Sequence, residues 1–409
     1  MNKILSTSDY LGVNTDSRSV KTGDIYLPLK GAQFNGHDFI QDALLKGASF
    51  AYSAIDINQL KLSPELSSKV VRVDNTLLQY QHLANEYRNL VNPIVIGITG
   101  SSGKTTVKEI LRIVLAEKYR VHYTQANFNN EIGVPKTILS MPADTEVLIL
   151  EMGMRGLGEI EVLSKIAEPN VAVITNIGTA HIERLGSVEN IRTAKLEITK
   201  GMRDLELSVR ATLIVDPDLY KKIENNYKHL DLIEFSPIPN TQYLILENNC
   251  LLSDGLIADM NAVYKVAKIL GLNEQQIDIG LSKYSPGPGR GNFIHNANGD
   301  LLIDETYNAN PESIRNSVKA LLKQFPDDLK IAVLGDVLES QEDLVNKLFL
   351  EIGSYRNDNF KLIDGRGREI DDITRELSAI QSTKRKVILV KASRGAKFER
   401  VLDGYVSHD

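Results

Sequence analysis

The chain has 409 residues, enough for two or three domains with separate cores, which excludes a single small binding module. Its 47 Lys and Arg against 53 Asp and Glu leave a net charge of −6, so no broad basic field exists to hold nucleic acid or an anionic membrane, and an anionic ligand has to be gripped locally. Hydrophobic residues at 42% and charged residues at 24% give an ordinary globular balance that excludes disorder, and no fixed period or heptad series points to a solenoid or coiled coil.

The start, MNKILSTSDY, lacks the apolar core of a signal peptide, and no apolar run approaches the ~18 residues that span a bilayer, so a soluble protein is expected. Residues 1–91 mix short apolar runs at Asp24–Leu29 and Ser49–Tyr52 with a helix from Ile40 to Lys46 that stops at Gly47, which predicts a small α/β unit. A helix from Leu77 to Leu90 then meets Asn92-Pro93, and proline biases the residue before it away from helix, which places a domain boundary there. From Pro93 strands alternate with helices: strand Ile94–Thr99, helix Lys104–Glu117, strand Val147–Glu151, helix Gly158–Ile166, strand Val171–Asn176, helix Val188–Met202 and strand Ala211–Val215. That alternation predicts a doubly wound, mainly parallel sheet with helices on both faces. A weakly patterned stretch near 217–255 follows, holding the only cysteine, Cys250. One cysteine excludes an intrachain disulfide and a Cys-based zinc site, and fits a reducing cytoplasm. Helices Asn261–Leu270 and Glu274–Lys283 lead into Ser285-Pro286-Gly287-Pro288-Gly289, a second linker. Beyond it strands Leu301–Asp304, Ile331–Leu334, Lys361–Asp364 and Val387–Val390, with helix Pro311–Gln324, predict a Rossmann-like third unit. The expected fold class is therefore α/β with three domains: 1–91, a central P-loop domain over 92–290, and 291–409.

The strongest chemical signal is PIVIGITGSSGKTTVK, in which a β-rich run enters a glycine loop that opens a helix. Its core is Gly100-Ser101-Ser102-Gly103-Lys104-Thr105-Thr106. Backbone N–H groups of such a loop and the positive end of the helix dipole cradle phosphate, Lys104 neutralises the terminal phosphates, and Thr105 can ligate Mg²⁺. A strict GxxxxGK[ST] match would need glycine where Ile98 stands. The string Asn127-Phe128-Asn129-Asn130-Glu131-Ile132-Gly133-Val134-Pro135 crowds three carboxamides and a carboxylate together, which suits a polar ligand and equally a solvated loop. Glu151 and His181 each follow a predicted strand, at the carboxyl edge where doubly wound sheets bind ligands, and the phosphate loop shares that edge, which favours both as metal ligands. An isolated histidine is otherwise commonly structural. Nothing in the pattern distinguishes Lys195, in Ala194-Lys195-Leu196-Glu197, from a solvated lysine. Arg290 and the run Asp304-Glu305-Thr306-Tyr307-Asn308-Ala309-Asn310-Pro311 stand at the junction with the third unit, where they suit either a hinge closing over nucleotide or a capped helix start.

Over nearly the whole chain these motifs resemble the Mur ligase superfamily, most closely its MurF type. The resemblance also draws on Thr15-Asp16-Ser17-Arg18, Gly23-Asp24 and Phe34-Asn35-Gly36-His37-Asp38-Phe39 in the first unit. Further on it includes Glu151-Met152-Gly153, Thr175-Asn176-Ile177-Gly178, Pro288-Gly289-Arg290, Leu334-Gly335-Asp336 and Val390-Lys391-Ala392-Ser393-Arg394-Gly395. The NxNNEIGVP and YNANP strings favour the MurF type, and no DNPR string is present. The resemblance implies an ATP-dependent, ADP-forming peptide ligase of wall-precursor synthesis, cytoplasmic and monomeric. It would join D-alanyl-D-alanine to a UDP-N-acetylmuramoyl tripeptide through an acyl phosphate, with neither nucleic acid nor membrane as partner.

The first domain would hold the UDP end of the substrate, with Ser17, Arg18, Asn127, Asn129, Asn130 and Glu131 as substrate contacts. ATP would be bound by the loop Gly100–Thr106 and by Asn261, Arg290, Asp304, Tyr307 and Asn308. Thr105 and Glu151 would hold one Mg²⁺, and His181 with a carbamylated Lys195 a second, which makes Lys104, His181 and Lys195 the catalytic set. Against the family pattern, Glu305 stands where Asp is usual, Met260-Asn261 where His-Asn is usual, and the run Leu338-Glu339-Ser340-Gln341-Glu342 after Asp336 lacks the histidine that often follows a few residues later. Another amide ligase of the superfamily, a P-loop phosphotransferase or nucleotide switch, and a homologue that only binds UDP-sugars are the competing readings. The set Lys104, Thr105, Glu151, His181 and Lys195 argues against the last.

Overall fold

The computed structural model describes residues 12–31, 33–179, 182–205, 210–235, 250–338 and 340–407, and they build three sheets. The first orders β1 (Val13–Asn14), β2 (Ile25–Tyr26), β3 (Phe50–Ser53) and β4 (Val70–Arg72), all parallel. Helix Thr76–Val91 leaves this sheet and ends where Asn92 turns left-handed (φ 51°) ahead of Pro93, at the predicted boundary. The helix does not belong to the first unit alone, because its buried Tyr80, Leu83, Ala84 and Tyr87 join one apolar cluster with Val134, Ile138 and Ile160 of the central unit.

The central sheet runs β10 (Asp231–Glu234), β9 (Thr212–Val215), β8 (Val171–Ile174), β5 (Ile94–Thr99), β7 (Val147–Glu151) and β6 (Val121–Tyr123), parallel throughout. Strand β5 lies inside this sheet, with helices packed on both of its faces and Val95, Ile96 and Ile98 fully buried. Its continuous apolar run is what a parallel strand covered on both faces requires. All these strands deliver their carboxyl ends to one edge. The third sheet orders β11 (Asn292–His295), β12 (Leu301–Glu305), β15 (Lys386–Lys391), β13 (Leu329–Leu334) and β14 (Phe360–Asp364), parallel except for the β11–β12 pair.

Two predicted elements shift. The helix expected from Asn261 begins at Asp254, because Ser253 accepts the N–H of Leu256 and caps it seven residues earlier. The helix expected over Val188–Met202 is α-helical only to Leu196 and tightens to a 3₁₀ turn over Glu197–Gly201. The weakly patterned stretch holds helix Pro217–Ile223 and strand β10, both too short to leave a periodic signal. Among the described residues no helix is long and apolar enough to cross a membrane.

Candidate active site

Strand β5 ends at Thr99, and the loop Gly100–Gly103 delivers the chain into helix Lys104–Leu115. Gly103 is left-handed (φ 80°) at the helix N-cap, and a Cβ there would collide with the Asp259 carboxylate, so both backbone and packing require glycine. The loop is braced from β8. Asn176 Oδ1 accepts the N–H groups of Ser101 and Ser102, each at 3.0 Å, Asn176 Nδ2 donates to Ser102 Oγ at 2.6 Å, and Thr175 Oγ1 donates to the Ser102 carbonyl. With those two amides committed, the N–H groups left for an anion include those of the N-cap Gly103 and of the first helical turn, Lys104, Thr105 and Thr106, which have no intrahelical acceptor.

Lys104 is half-buried, and its Nζ donates to the Gly100 carbonyl at 2.7 Å. Burial lowers its pKa from the usual lysine value; Glu151 and Asp259 pull it back up, while Arg290 pushes it further down. Glu151, at the end of β7 and only 4% exposed, is held by both oxygens: Thr105 Oγ1 donates to Oε2 at 3.0 Å and Asn129 Nδ2 to Oε1 at 2.9 Å. Behind it, Thr124 Oγ1 accepts the Glu151 N–H at 3.0 Å, and buried Lys108 donates to the Thr124 carbonyl at 2.9 Å. Lys195 is 1% exposed on helix Val188–Leu196 and has no hydrogen-bond or ion-pair partner among the described residues. Desolvation, with the charge of Lys104 adding to it, drives its pKa well below that of a free lysine.

Two adjoining cavities open between the central and third sheets. The smaller, 340 Å³, is lined by Ser101–Thr106, Asn127, Asn129 and Glu151 on one side and by Arg290, Glu305, Tyr307, Asn308 and Lys391 on the other. The larger, 580 Å³, continues past Gly103, Asn176 and Arg290 to Asp259 and Tyr284. The Arg290 guanidinium stacks 3.9 Å from the Tyr307 ring centre, and Lys391 pairs with Glu305 at 2.8 Å while Ser317 Oγ donates to the same carboxylate. Lys104, Arg290 and Lys391 thus bring three cations to the smaller cavity against Glu151 and Glu305.

The fold therefore brings the loop, Asn127, Asn129, Glu151, Arg290, Tyr307 and Asn308 together. Others lie elsewhere. Asp304 faces the linker: its Oδ2 accepts the Gly289 N–H at 2.8 Å and its Oδ1 the Thr306 hydroxyl at 2.6 Å, so its neighbour Glu305 is the carboxylate at the cavity. Asn261 is buried on its helix and lines neither cavity; Asp259, two residues earlier, does. Asn130 Oδ1 accepts the Gly133 N–H at 2.9 Å, at the start of helix Gly133–Leu139, and Glu131 lines neither cavity. Ser17 and Arg18 sit between β1 and β2, where exposed Arg18 pairs with Asp16 at 2.7 Å. His181 falls outside the described residues. Sequence reasoning assigned no role to Asn176, Lys108, Thr124, Lys391 or Asp259. Asn176, Lys391 and Lys108 stand in strings already singled out, whereas Thr124 and Asp259 carry no local signal.

A family profile described as the Mur ligase middle domain matches residues 98–249, and one described as the Mur ligase family, catalytic domain, matches residues 9–88. The chain is 32% identical to the UDP-N-acetylmuramoyl-tripeptide–D-alanyl-D-alanine ligase of Bacillus subtilis, over 96% of this chain and 92% of that protein. It is 36% identical to the Synechocystis protein of the same name, over 80% and 72%. Among solved structures it is similar to the MurF ligase of Thermotoga maritima in complex with ADP, with a TM-score of 0.82 and 28% identity over 100% of this chain and 99% of that one.

Proposed function

The chain belongs to the Mur ligase family, in its MurF type, and from that premise we infer that it is an ATP-dependent ligase joining D-alanyl-D-alanine to a UDP-N-acetylmuramoyl tripeptide in peptidoglycan precursor synthesis. The observation that carries this reading is the smaller cavity, where a phosphate loop and an anchored carboxylate on the central unit face Arg290, Lys391 and Tyr307 across the junction. A carboxylate is a poor electrophile until it acquires a phosphate leaving group. The substrate carboxylate attacks the γ-phosphate of ATP, ADP leaves, and the dipeptide amine displaces phosphate from the acyl phosphate.

Lys104 and the first-turn amides hold the phosphate chain, with Arg290 and Lys391 offsetting its charge from the opposite wall. The Thr105 and Glu151 oxygens, 3.0 Å apart at the cavity wall, suit a hard cation. Mg²⁺ takes most of its ligands from phosphate and water, so this pair would be the protein's share of its shell. Bound there, Mg²⁺ supplies charge that offsets the repulsion between two reacting anions. Lys195 as a carbamate is supported by its burial, its lack of a partner among the described residues and its lowered pKa, since CO₂ adds to the unprotonated amine. The carbamate would place an anion there, able to support a second Mg²⁺ with His181.

The three sheets support a division into a UDP-substrate unit (1–91), an ATP-binding unit (92–290) and an amino-substrate unit (291–409). Nucleotide substrates and a single buried cysteine support a cytoplasmic setting. The test is co-substrate dependence: phosphate release should require both UDP-muramoyl tripeptide and D-alanyl-D-alanine, and mass spectrometry should show the pentapeptide product. Phosphate retained on a product, or released without the amine, would overturn the reading.

A further inference from the structure

Helix Asp254–Ile269 carries a carboxylate into the nucleotide cleft that the reaction above does not use. Asp259 is only 8% exposed, has no hydrogen-bond or ion-pair partner among the described residues, and lines the larger cavity. It lies against Gly103, whose missing side chain makes room for it, at the N-terminal pole of the phosphate-loop helix. That pole is where the nucleotide phosphates would sit. A buried carboxylate and a phosphate cannot both occupy it as unshielded anions, because like charges in a poorly solvated site repel strongly. Protonated, the same side chain becomes a donor facing a ligand rich in acceptor oxygens.

We propose that Asp259 binds the nucleotide as its neutral acid, donating a hydrogen bond into the cleft beside Gly103, so that nucleotide binding weakens as that proton is lost to solvent. The proposal rests on the reading of this cleft as the ATP site. Burial raises the Asp259 pKa to about 8, and the charge of Lys104 opposes that rise without cancelling it. The groups acting electrically at this point are Lys104 on the loop helix and Tyr284 at the end of the next helix, with Glu151 and Arg290 acting through Lys104 and Cys250 through Tyr284. Burial raises Tyr284 and takes Cys250 to about 12, so both stay neutral below pH 10. Lys104, whose pKa burial lowers, is common to wild type and the Asp259 variants. Asp259→Asn keeps a donor of similar shape and removes only the Asp259 proton.

The experiment is calorimetric titration of the full chain with Mg·ADP from pH 7 to pH 9.5, with thermal melts at each pH to establish that each variant is folded. Wild-type affinity should fall about tenfold between pH 7 and pH 9, because the competent protonated fraction falls by that factor. Asp259→Asn should bind at pH 7 within about threefold of wild type and lose most of the slope, while Asp259→Ala should bind weakly at every pH. Titrations in buffers of different ionisation enthalpy should show proton uptake near pH 8.5 for wild type and much less for Asp259→Asn. A wild-type slope preserved in Asp259→Asn, or weak binding by folded Asp259→Asn at pH 7, would overturn the proposal. Failure of wild type to bind Mg·ADP at all would instead overturn the nucleotide reading of the cleft.

Discussion

Replacing Lys104 by Met isolates the charge that the phosphate loop contributes. In the ligand-free site the Lys104 ammonium makes one hydrogen bond, to the Gly100 carbonyl at 2.7 Å, and the remainder of the loop is braced independently by Asn176 and Thr175. The fold should therefore lose only about 1.5–3 kcal/mol, the cost of one charge-assisted bond. Catalysis should lose much more. A unit charge about 4 Å from a phosphate oxygen at an effective dielectric of ~20 is worth about 4 kcal/mol, which corresponds to roughly a thousandfold in rate if it acts on the developing charge in the transition state. Rapid-quench measurement of phosphate release with saturating UDP-muramoyl tripeptide and D-alanyl-D-alanine reads that loss directly, and urea unfolding reads the structural cost. A folded Lys104→Met enzyme turning over within tenfold of wild type would remove the loop lysine from the mechanism and with it the placing of the phosphates at the helix N-terminus.

Lys195→Ala should lose most activity and regain part of it with added short carboxylic acids, which return an anion to the vacated space; a fully active variant, or a Lys195 that mass spectrometry and a nucleotide-bound crystal both show unmodified, would end the carbamate proposal. His37 donates through Nδ1 to Asn35 Oδ1 and accepts the Ala54 N–H at Nε2, each at 2.9 Å, and burial holds its pKa below the usual 6.5. Its contribution to stability is therefore fully present above pH 6.5 and is lost as pH falls through the depressed folded value, so wild type should lose more unfolding free energy than His37→Gln between pH 7.5 and pH 5. Solution scattering should give a smaller radius of gyration with a non-hydrolysable ATP analogue plus UDP-muramoyl tripeptide than without ligands, since ligands that touch both walls of the cleft favour the arrangement in which the third unit stands against the central one; identical curves with binding confirmed would contradict ligand-driven closure.

The phosphate loop and Glu151 are legible in the sequence because each is announced locally, by a buried apolar strand that ends abruptly in glycine or in a carboxylate. The helix start at Ser253 is legible only in part, since Gly255 and the acidic Asp254 and Asp259 dilute the apolar period until Met260. What cannot be read are partnerships across long separations. Asn176 meets the loop from 74 positions away, and Lys391 reaches Asn308 across 83. Nothing adjacent to Asp304 and Glu305 indicates which of the two turns back to the linker and which faces the cleft; strand alternation puts them on opposite faces, and only the packing of Gly289 decides.

The junction of the central and third units is also more than the Pro/Gly linker that the sequence displays. Just before helix Asp254–Ile269, the side-chain amide of Gln324 brackets the backbone, donating to the Cys250 carbonyl at 3.2 Å and accepting the Leu252 N–H at 2.9 Å. Cys250 forms a bridge to Asn292 at the edge of the third sheet while its side chain packs in the central core, and Leu251 packs in the third-unit core. The third unit is thus tied at two places, residues 250–252 and the linker Ser285–Gly291. One tether would leave it free to swing in any direction; two leave mainly a rotation about the line that joins them. Both tethers border the larger cavity, where Cys250, Leu251, Pro286 and Arg290 contribute to its wall. A small rotation there changes the gap between Lys104 and Lys391 while the cleft floor, formed by the braced loop and Asn176, stays fixed, and that is the geometry a site needs when it must admit two large substrates and then exclude water from an acyl phosphate.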